Sequence, residues 1–354
     1  MRRVLAVLVA IGLIAGASFL RSRHQADEVA GQQAAGQLTG NLVCATELAK
    51  VCDDLRTANP SLQVRTEEAG TTAATLAAAT FNRDTAKIDA WLVPQPYPAM
   101  VEDTRRLAGL EPALGTPSAV LARSPVVAVV WNDRRTALQK KTCPGEITWT
   151  CLGPVAGEPW IQADGEESWG KVKPGHGPPD KSATGLLVLS QATAVKLDRS
   201  DFAKNDFDDP DYQTWLGQLE RGIPTFTPST GSPLGQMQSQ GRSSFDIAGS
   251  IEAVAGPSVT GSRDEKNLTI LYPSPVVTAD VVVVAVRGSE QGEHMKQRVD
   301  SVDTSASLAR AGWRVPGQAS AAGVLATPVL PPSSGLPTPG ALVALIATWS
   351  EVKR

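Results

Sequence analysis

Three short stretches, Cys44-Ala45-Thr46, Gly70-Thr71-Thr72 and Ser182-Ala183-Thr184-Gly185, place small and hydroxyl-bearing residues where an apolar run gives way to a helical one. At such a junction unpaired backbone N–H groups and the positive end of the helix dipole point outward, and Ser or Thr hydroxyls add donors. The chemistry this supports is noncovalent capture of a small polar ligand, with anions among the candidates. Taken singly, each stretch also reads as ordinary capping, because Ser and Thr are common N-cap residues that serve helix stability alone. The first two stretches follow apparent strands, and in parallel α/β sheets ligands lie beyond the carboxyl ends of strands. If the third sits on an opposing lobe, closure sandwiches a ligand between hydroxyls and amides.

The residues that make catalysis recognisable are missing. There is no G-x-S-x-G elbow, no S-x-x-K at a suitable helix start, no H-E-x-x-H, no Walker loop and no G-x-G-x-x-G after a strand. The three histidines, His24, His176 and His294, fall in a polar tether, a Pro/Gly loop and a charged stretch. Neither a shared metal nor a triad is expected of them. The acidic run Asp206 to Asp209 lacks EF-hand spacing and reads as a solvated turn. No enzyme activity, cofactor or metal is expected.

Eight tryptophans are many for a chain with 5% aromatic residues. Aromatic walls suit sugars or organic cations, but core packing accounts for most of the eight, and only Trp91 or Trp169 is expected near a ligand. The four cysteines form two short-range pairs, Cys44 with Cys52 and Cys143 with Cys151. In an oxidising compartment this spacing suggests two local disulfides, each stabilising by roughly 2 to 3 kcal/mol on the loop-entropy model. One difficulty attends the first pair. If Cys44 ends a strand and Cys52 lies two turns into a helix, the Cα atoms are too far apart, so either that helix begins late, near Leu48, or the pair stays reduced.

At 354 residues the chain fits two lobes and an export segment. Hydrophobic residues make up 42% and charged residues 19%, enough apolar content for a core. A net charge of -3 without a long Lys/Arg run argues against nucleic acid as a partner. Arg2 and Arg3 precede an apolar run from Val4 to Leu20, and Arg21, Arg23 and His24 follow it. Residues 1–23 therefore read as a signal peptide, cleavable near Ala15-Gly16-Ala17, or as an uncleaved anchor. No Cys follows closely enough for lipidation, and the polar residues 24–38 read as a linker. An extracytoplasmic place in the cell envelope follows from either reading.

From Leu38 onward, short apolar strands alternate with helices: strands near 41–44, 62–65 and 88–93, and helices over 47–58 and 73–81. SPVVAVVW, ending at Trp131, is a β-branched run that suits a strand buried on both faces and crossing between lobes. Ser182 announces a helix over 183–196, and Ser232-Pro233 starts another. Strands are expected at 245–248, 267–272 and 281–286, and helices at 305–311 and 339–353. This is α/β with a largely parallel sheet.

The order of these segments resembles the type II periplasmic solute-binding fold, and is most similar to the subset that includes molybdate- and sulfate-binding proteins. The resemblance covers about residues 39 to 354. It rests on CATELA, EAGTTAATLA, IDAWLVP, SPVVAVVW, SATGLL, SSFDIAGSIEA, LTILYPSPVVTADVVVVAV and ARAGWR taken in order. It implies two α/β lobes, 39–125 with 265–354 and 126–264, and a ligand cleft at the hinge. It also implies a monomer that captures a small polar solute for an ABC permease. The binding positions it carries over are Thr46, Thr72 and Ser182, with Thr71, Thr184, Gly185 and Trp91 beside them. The chain has Thr where the oxyanion binders often have Ser, which leaves the solute open. A membrane-tethered sensor or interaction module on the same fold is the alternative role.

Overall fold

The computed structural model describes residues 38–224, 232–299 and 302–353. The leader and most of the linker lie outside that range. Among the described residues no helix is long and apolar enough to cross a membrane.

In chain order the main elements begin β1 (Gly40–Ala45), α1 (Ala49–Ala58), β2 (Leu62–Glu67), α2 (Ala69–Ala77), β3 (Ala90–Pro94) and α3 (Tyr97–Leu107). Next come β4 (Ala122–Trp131), α4 (Asn132–Lys141), β5 (Pro174–Gly175), α5 (Ala183–Leu197), α6 (Pro210–Gly222) and α7 (Pro233–Gln240). The chain ends with β6 (Ile247–Ile251), α8 (Glu252–Val259), β7 (Leu268–Leu271), β8 (Thr278–Ala285), α9 (Glu290–Val299), α10 (Val302–Arg310) and α11 (Pro339–Val352).

The strand order is β2-β1-β3-β8-β4-β6-β5, with β7 also on β4. β4 makes two lobes out of this one path. Its first residues, Ala122 to Pro125, pair antiparallel with β8, while Val126 to Trp131 pair with β6 and β7. The β-branched SPVVAVVW run therefore does cross, and its burial along nearly the whole strand explains why no polar alternation is written into it. β3 and β8 are buried throughout for the same reason. The stretch 267–272, expected with the return to the first lobe, instead forms β7 against the second half of β4, and the return comes with β8.

Two differences at helix starts matter for the site. A single 3-10 turn, Thr46–Leu48, separates β1 from α1, so the helix does begin late. Cys52 thus sits in the first turn of α1, its Cα is 6.6 Å from that of Cys44, and the two are bonded. Cys143 and Cys151 are bonded as well, with Cα atoms 5.5 Å apart. α2, by contrast, starts earlier than expected. Gly70, Thr71 and Thr72 are its first turn rather than a loop, because the backbone carbonyl of Glu68 takes the N–H groups of Thr71 and Thr72.

The hinge is fastened by polar groups. Arg123 and Arg314 exchange backbone hydrogen bonds, and each guanidinium holds a carboxylate, Asp280 for Arg123 and the fully buried Glu252 for Arg314. Glu252 also accepts from Tyr272 and from the Leu325 backbone, so its buried charge is well satisfied. α11 packs on α3 of the first lobe and on α5 and α6 of the second.

Candidate functional site

A cavity of about 280 Å³ opens between the lobes. Thr46 and Glu47, just past β1, and Glu68, just past β2, form its wall in the first lobe. The opposite wall is built around the α5 N-terminus by Gly177, Pro178, Lys181, Ser182 and Thr184. Ser232 to Leu234 at the start of α7, Gly249 and Ser250 in β6, and Val254 in α8 complete it. Both walls thus stand where strands end and helices begin, the position that backbone topology leaves free for ligands.

Thr46, Ser182 and Thr184, three of the residues singled out from sequence, meet here. Ser182 caps α5, its hydroxyl accepting the Gly185 N–H at 3.1 Å. Gly185 is buried directly behind the cavity. A Cβ there would lie 2.3 Å from the Gly177 carbonyl oxygen, so only glycine lets the Gly177-Pro178 wall rest on the first turn of α5.

The second donor stretch does not reach the cavity. Thr72 is fully buried and its hydroxyl donates to Glu67. Thr71 is half-buried and, like Thr72, spends its N–H on Glu68. The Gly70 N–H crosses to the other lobe and donates to the Lys181 carbonyl at 2.8 Å. Trp91 is also elsewhere: it is fully buried in the first-lobe core, edge-on to Tyr97. Trp169 is placed in the second lobe beside Trp160, with the Arg134 guanidinium over its ring. Trp91 is a core residue, as are Trp131, Trp149, Trp160 and Trp313, whereas Trp169 is half-buried; neither Trp91 nor Trp169 lines the cavity.

Sequence reasoning missed the acidic side of the site. Glu47 reaches across the cleft and accepts the Thr184 N–H at 2.8 Å, the Thr184 hydroxyl at 3.0 Å and the Ser182 hydroxyl at 3.4 Å. The Thr46 hydroxyl lies 3.2 Å from Glu47 and 3.4 Å from Glu68, and its single proton serves one of them at a time. Burial, and then the nearby Glu47 charge, hold the Glu68 carboxyl above its ordinary range. Complete burial, and after it the same two carboxylates and Asp180, push the Tyr97 phenol well up, and its hydroxyl has no hydrogen-bond partner among the described residues. The available signal was Glu47 in a first helical turn, which reads as a partner for its own helix dipole. Nothing local says that it serves a helix 137 residues away.

Behind the Gly177-Pro178 wall lies a second polar centre. His176 Nδ1 is 2.7 Å from the Gly177 carbonyl oxygen and Nε2 is 2.8 Å from Glu220, with both side chains buried. Lys353, just past α11, adds its ammonium to Glu220 at 3.2 Å. Burial opposes the Glu220 charge, yet His176 and Lys353 outweigh it and hold the carboxyl down at about 2. Both ring nitrogens of His176 are engaged, so the ring anchors the wall and is not free for proton transfer to a substrate. Among the described residues no group of His, Cys, Asp and Glu is arranged to hold a metal.

No protein-family model and no curated protein matches the chain. Solved structures do. The periplasmic binding protein AfuA from Actinobacillus pleuropneumoniae, described with fructose-6-phosphate bound, is similar at 12% identity and a TM-score of 0.57, over 88% of this chain and 98% of that one. Iron-bound HitA from Pseudomonas aeruginosa is similar at 12% identity and a TM-score of 0.57, over 90% and 100%. A periplasmic thiamin binding protein is similar at 11% identity and a TM-score of 0.56, over 90% and 97%. These neighbours are binding proteins described with different solutes, so they do not single out the molybdate- and sulfate-binding subset. What they share with this chain is the architecture: it has the two-lobed α/β fold of the periplasmic binding proteins.

Proposed function

We propose that the protein is an extracytoplasmic solute-binding protein that closes its two lobes on a small polar solute and presents it to an ABC-type permease. The observation that carries this reading is the cavity between the lobes, walled from both sides by loop-to-helix junctions. Its volume of about 280 Å³ suits a metabolite-sized solute rather than a polymer. On this reading Thr46, Ser182 and Thr184 contact the solute, Gly185 shapes the wall, and Thr71, Thr72 and Trp91 act only through the fold. The lobes comprise 39–125 with the chain from β8 onward, and 126 to about 276. Residues 1–23 carry the chain to the envelope as signal peptide or anchor, and it works as a monomer without a cofactor. Its structural neighbours are named for iron, thiamin and a sugar phosphate, so the fold leaves the chemistry of the solute to the cavity itself.

A tethered sensor or interaction module is the second reading. It is favoured by one observation: α11 packs on both lobes, which opposes wide opening. Thermal-shift screening of the full chain against polar solutes tests the first reading. A solute that raises the melting temperature of the wild type but not of Thr46→Trp, whose indole fills the cavity, supports solute capture. A screen in which no solute distinguishes the two proteins favours the second reading.

A further inference from the structure

The α5 N-terminus is an anion seat in the cavity wall. It heads a helix of 15 residues, its Thr184 N–H and two hydroxyls converge on one point, and that point already holds a carboxylate. The carboxylate is Glu47, supplied by the other lobe. It makes the same contacts that a bound oxyanion would make there.

The starts of α2 and α7 have fewer N–H groups to offer. In α2 the N–H groups of Gly70, Thr71 and Thr72 all go to backbone carbonyls. In α7 the residue Pro233 has no N–H, and the Gly235 N–H is taken by Ser232. An anion entering the cavity would also face Glu68, set against Lys181, whose exposed side chain water screens.

We propose that Glu47 is a specificity-determining residue: it fills the anion seat at the α5 N-terminus, excludes small oxyanions from the cleft, and selects a solute that presents hydrogen-bond donors to the Glu47 and Glu68 carboxylates. The selection of a solute rests on the solute-binding reading above. The occupation of the seat does not. A neutral polyol or an ammonium-bearing solute meets the requirement, whereas sulfate or phosphate would have to displace a tethered competitor that is never diluted away.

The test is calorimetric titration of inorganic sulfate, and separately of inorganic phosphate, into the full-length wild type, Glu47→Ala and Glu47→Gln. Glu47→Ala empties the seat and is expected to bind sulfate at least about tenfold more tightly than wild type. Glu47→Gln keeps an amide oxygen near Thr184 without the charge, and its affinity is expected between the two. A further Ser182→Ala change on the Glu47→Ala background should remove most of the gain, which locates the anion at α5. Circular dichroism confirms that each variant is folded; if Glu47→Ala is not, the gain in Glu47→Gln decides. Sulfate binding equally well to wild type and variants, or gained by neither, overturns the proposal.

The two readings fail separately. If wild type binds a donor-bearing solute while the variants gain no sulfate affinity, the role of Glu47 is wrong and the solute cleft stands. If the variants gain sulfate while wild type binds no solute of any class, the occupied seat stands and its role in solute selection is lost with the solute-binding reading.

Discussion

Gly70 and Asp180 meet across the cleft so closely that a Cβ on Gly70 would lie 2.1 Å from the Asp180 carbonyl oxygen. Because that atom is backbone and cannot rotate away, the lobes can close to this degree only with glycine at the first turn of α2. Gly70→Ala should therefore hold the lobes further apart. Small-angle scattering is expected to show a larger radius of gyration for the variant, with weaker solute binding. The melting temperature should change little, since neither lobe's core is touched. An unchanged radius with unchanged affinity would show that this contact does not limit closure.

Thr72 and Ser182 look alike in sequence but act differently in the fold. Thr72→Ala deprives the Glu67 carboxylate of its buried donor and should cost about 1 kcal/mol of stability while leaving solute affinity alone. Ser182→Ala loses the α5 cap, which costs about 1 kcal/mol, and also removes a hydroxyl from the cavity wall, so affinity should fall with it. Urea unfolding together with titration of the identified solute separates the two patterns.

This contrast marks how far the sequence is readable. The strand-helix order, the crossing strand and the caps at Ser182 and Ser232 are legible because they are written in local periodicity and side-chain type. The disulfide between Cys44 and Cys52 was readable only as a choice between a late helix and a reduced pair. The 3-10 turn at Thr46–Leu48 decides it. The acidic wall was not readable, since Glu47 earns its role from a partner 137 residues away. Trp91, within the strand expected at 88–93, carries the same signal whether it faces a ligand or the core, and its full burial places it in the core.

Acid should unfold the protein partly through Glu220. Its carboxyl titrates at about 2 in the fold against an ordinary 4.5, so its folded pKa is depressed. The stabilisation is then complete above the unfolded value and is lost as pH falls through about 4.5 toward 2. Stability measured by urea unfolding should drop steeply over that window. Glu220→Gln should flatten the drop, at a cost of about 3 kcal/mol near neutrality, because it leaves His176 and Lys353 without their shared anion. A wild-type profile that is flat from pH 5 to 2 would contradict the assignment.

Glu68 should show the opposite sign. Burial and Glu47 hold its carboxyl above the ordinary value, so its ionised form is a cost to the fold at neutral pH and the cost disappears on acidification. Glu68→Gln is expected to raise stability slightly at pH 7, by less than about 1 kcal/mol because solvent screens a half-exposed group, and to have no effect once the wild-type group is protonated. Melting curves of both proteins across that range check it.

The central claim is that a solute lies between the lobes and touches both walls. Amide hydrogen exchange on the full chain, with and without a solute that shifts its melting temperature, tests this directly. The account predicts that protection rises together in the segment after β1 around Thr46 and Glu47 and in the stretch from Gly177 to Gly185, which belong to opposite lobes. Protection confined to one of them, or arising at a distant surface while both stay unchanged, would contradict it.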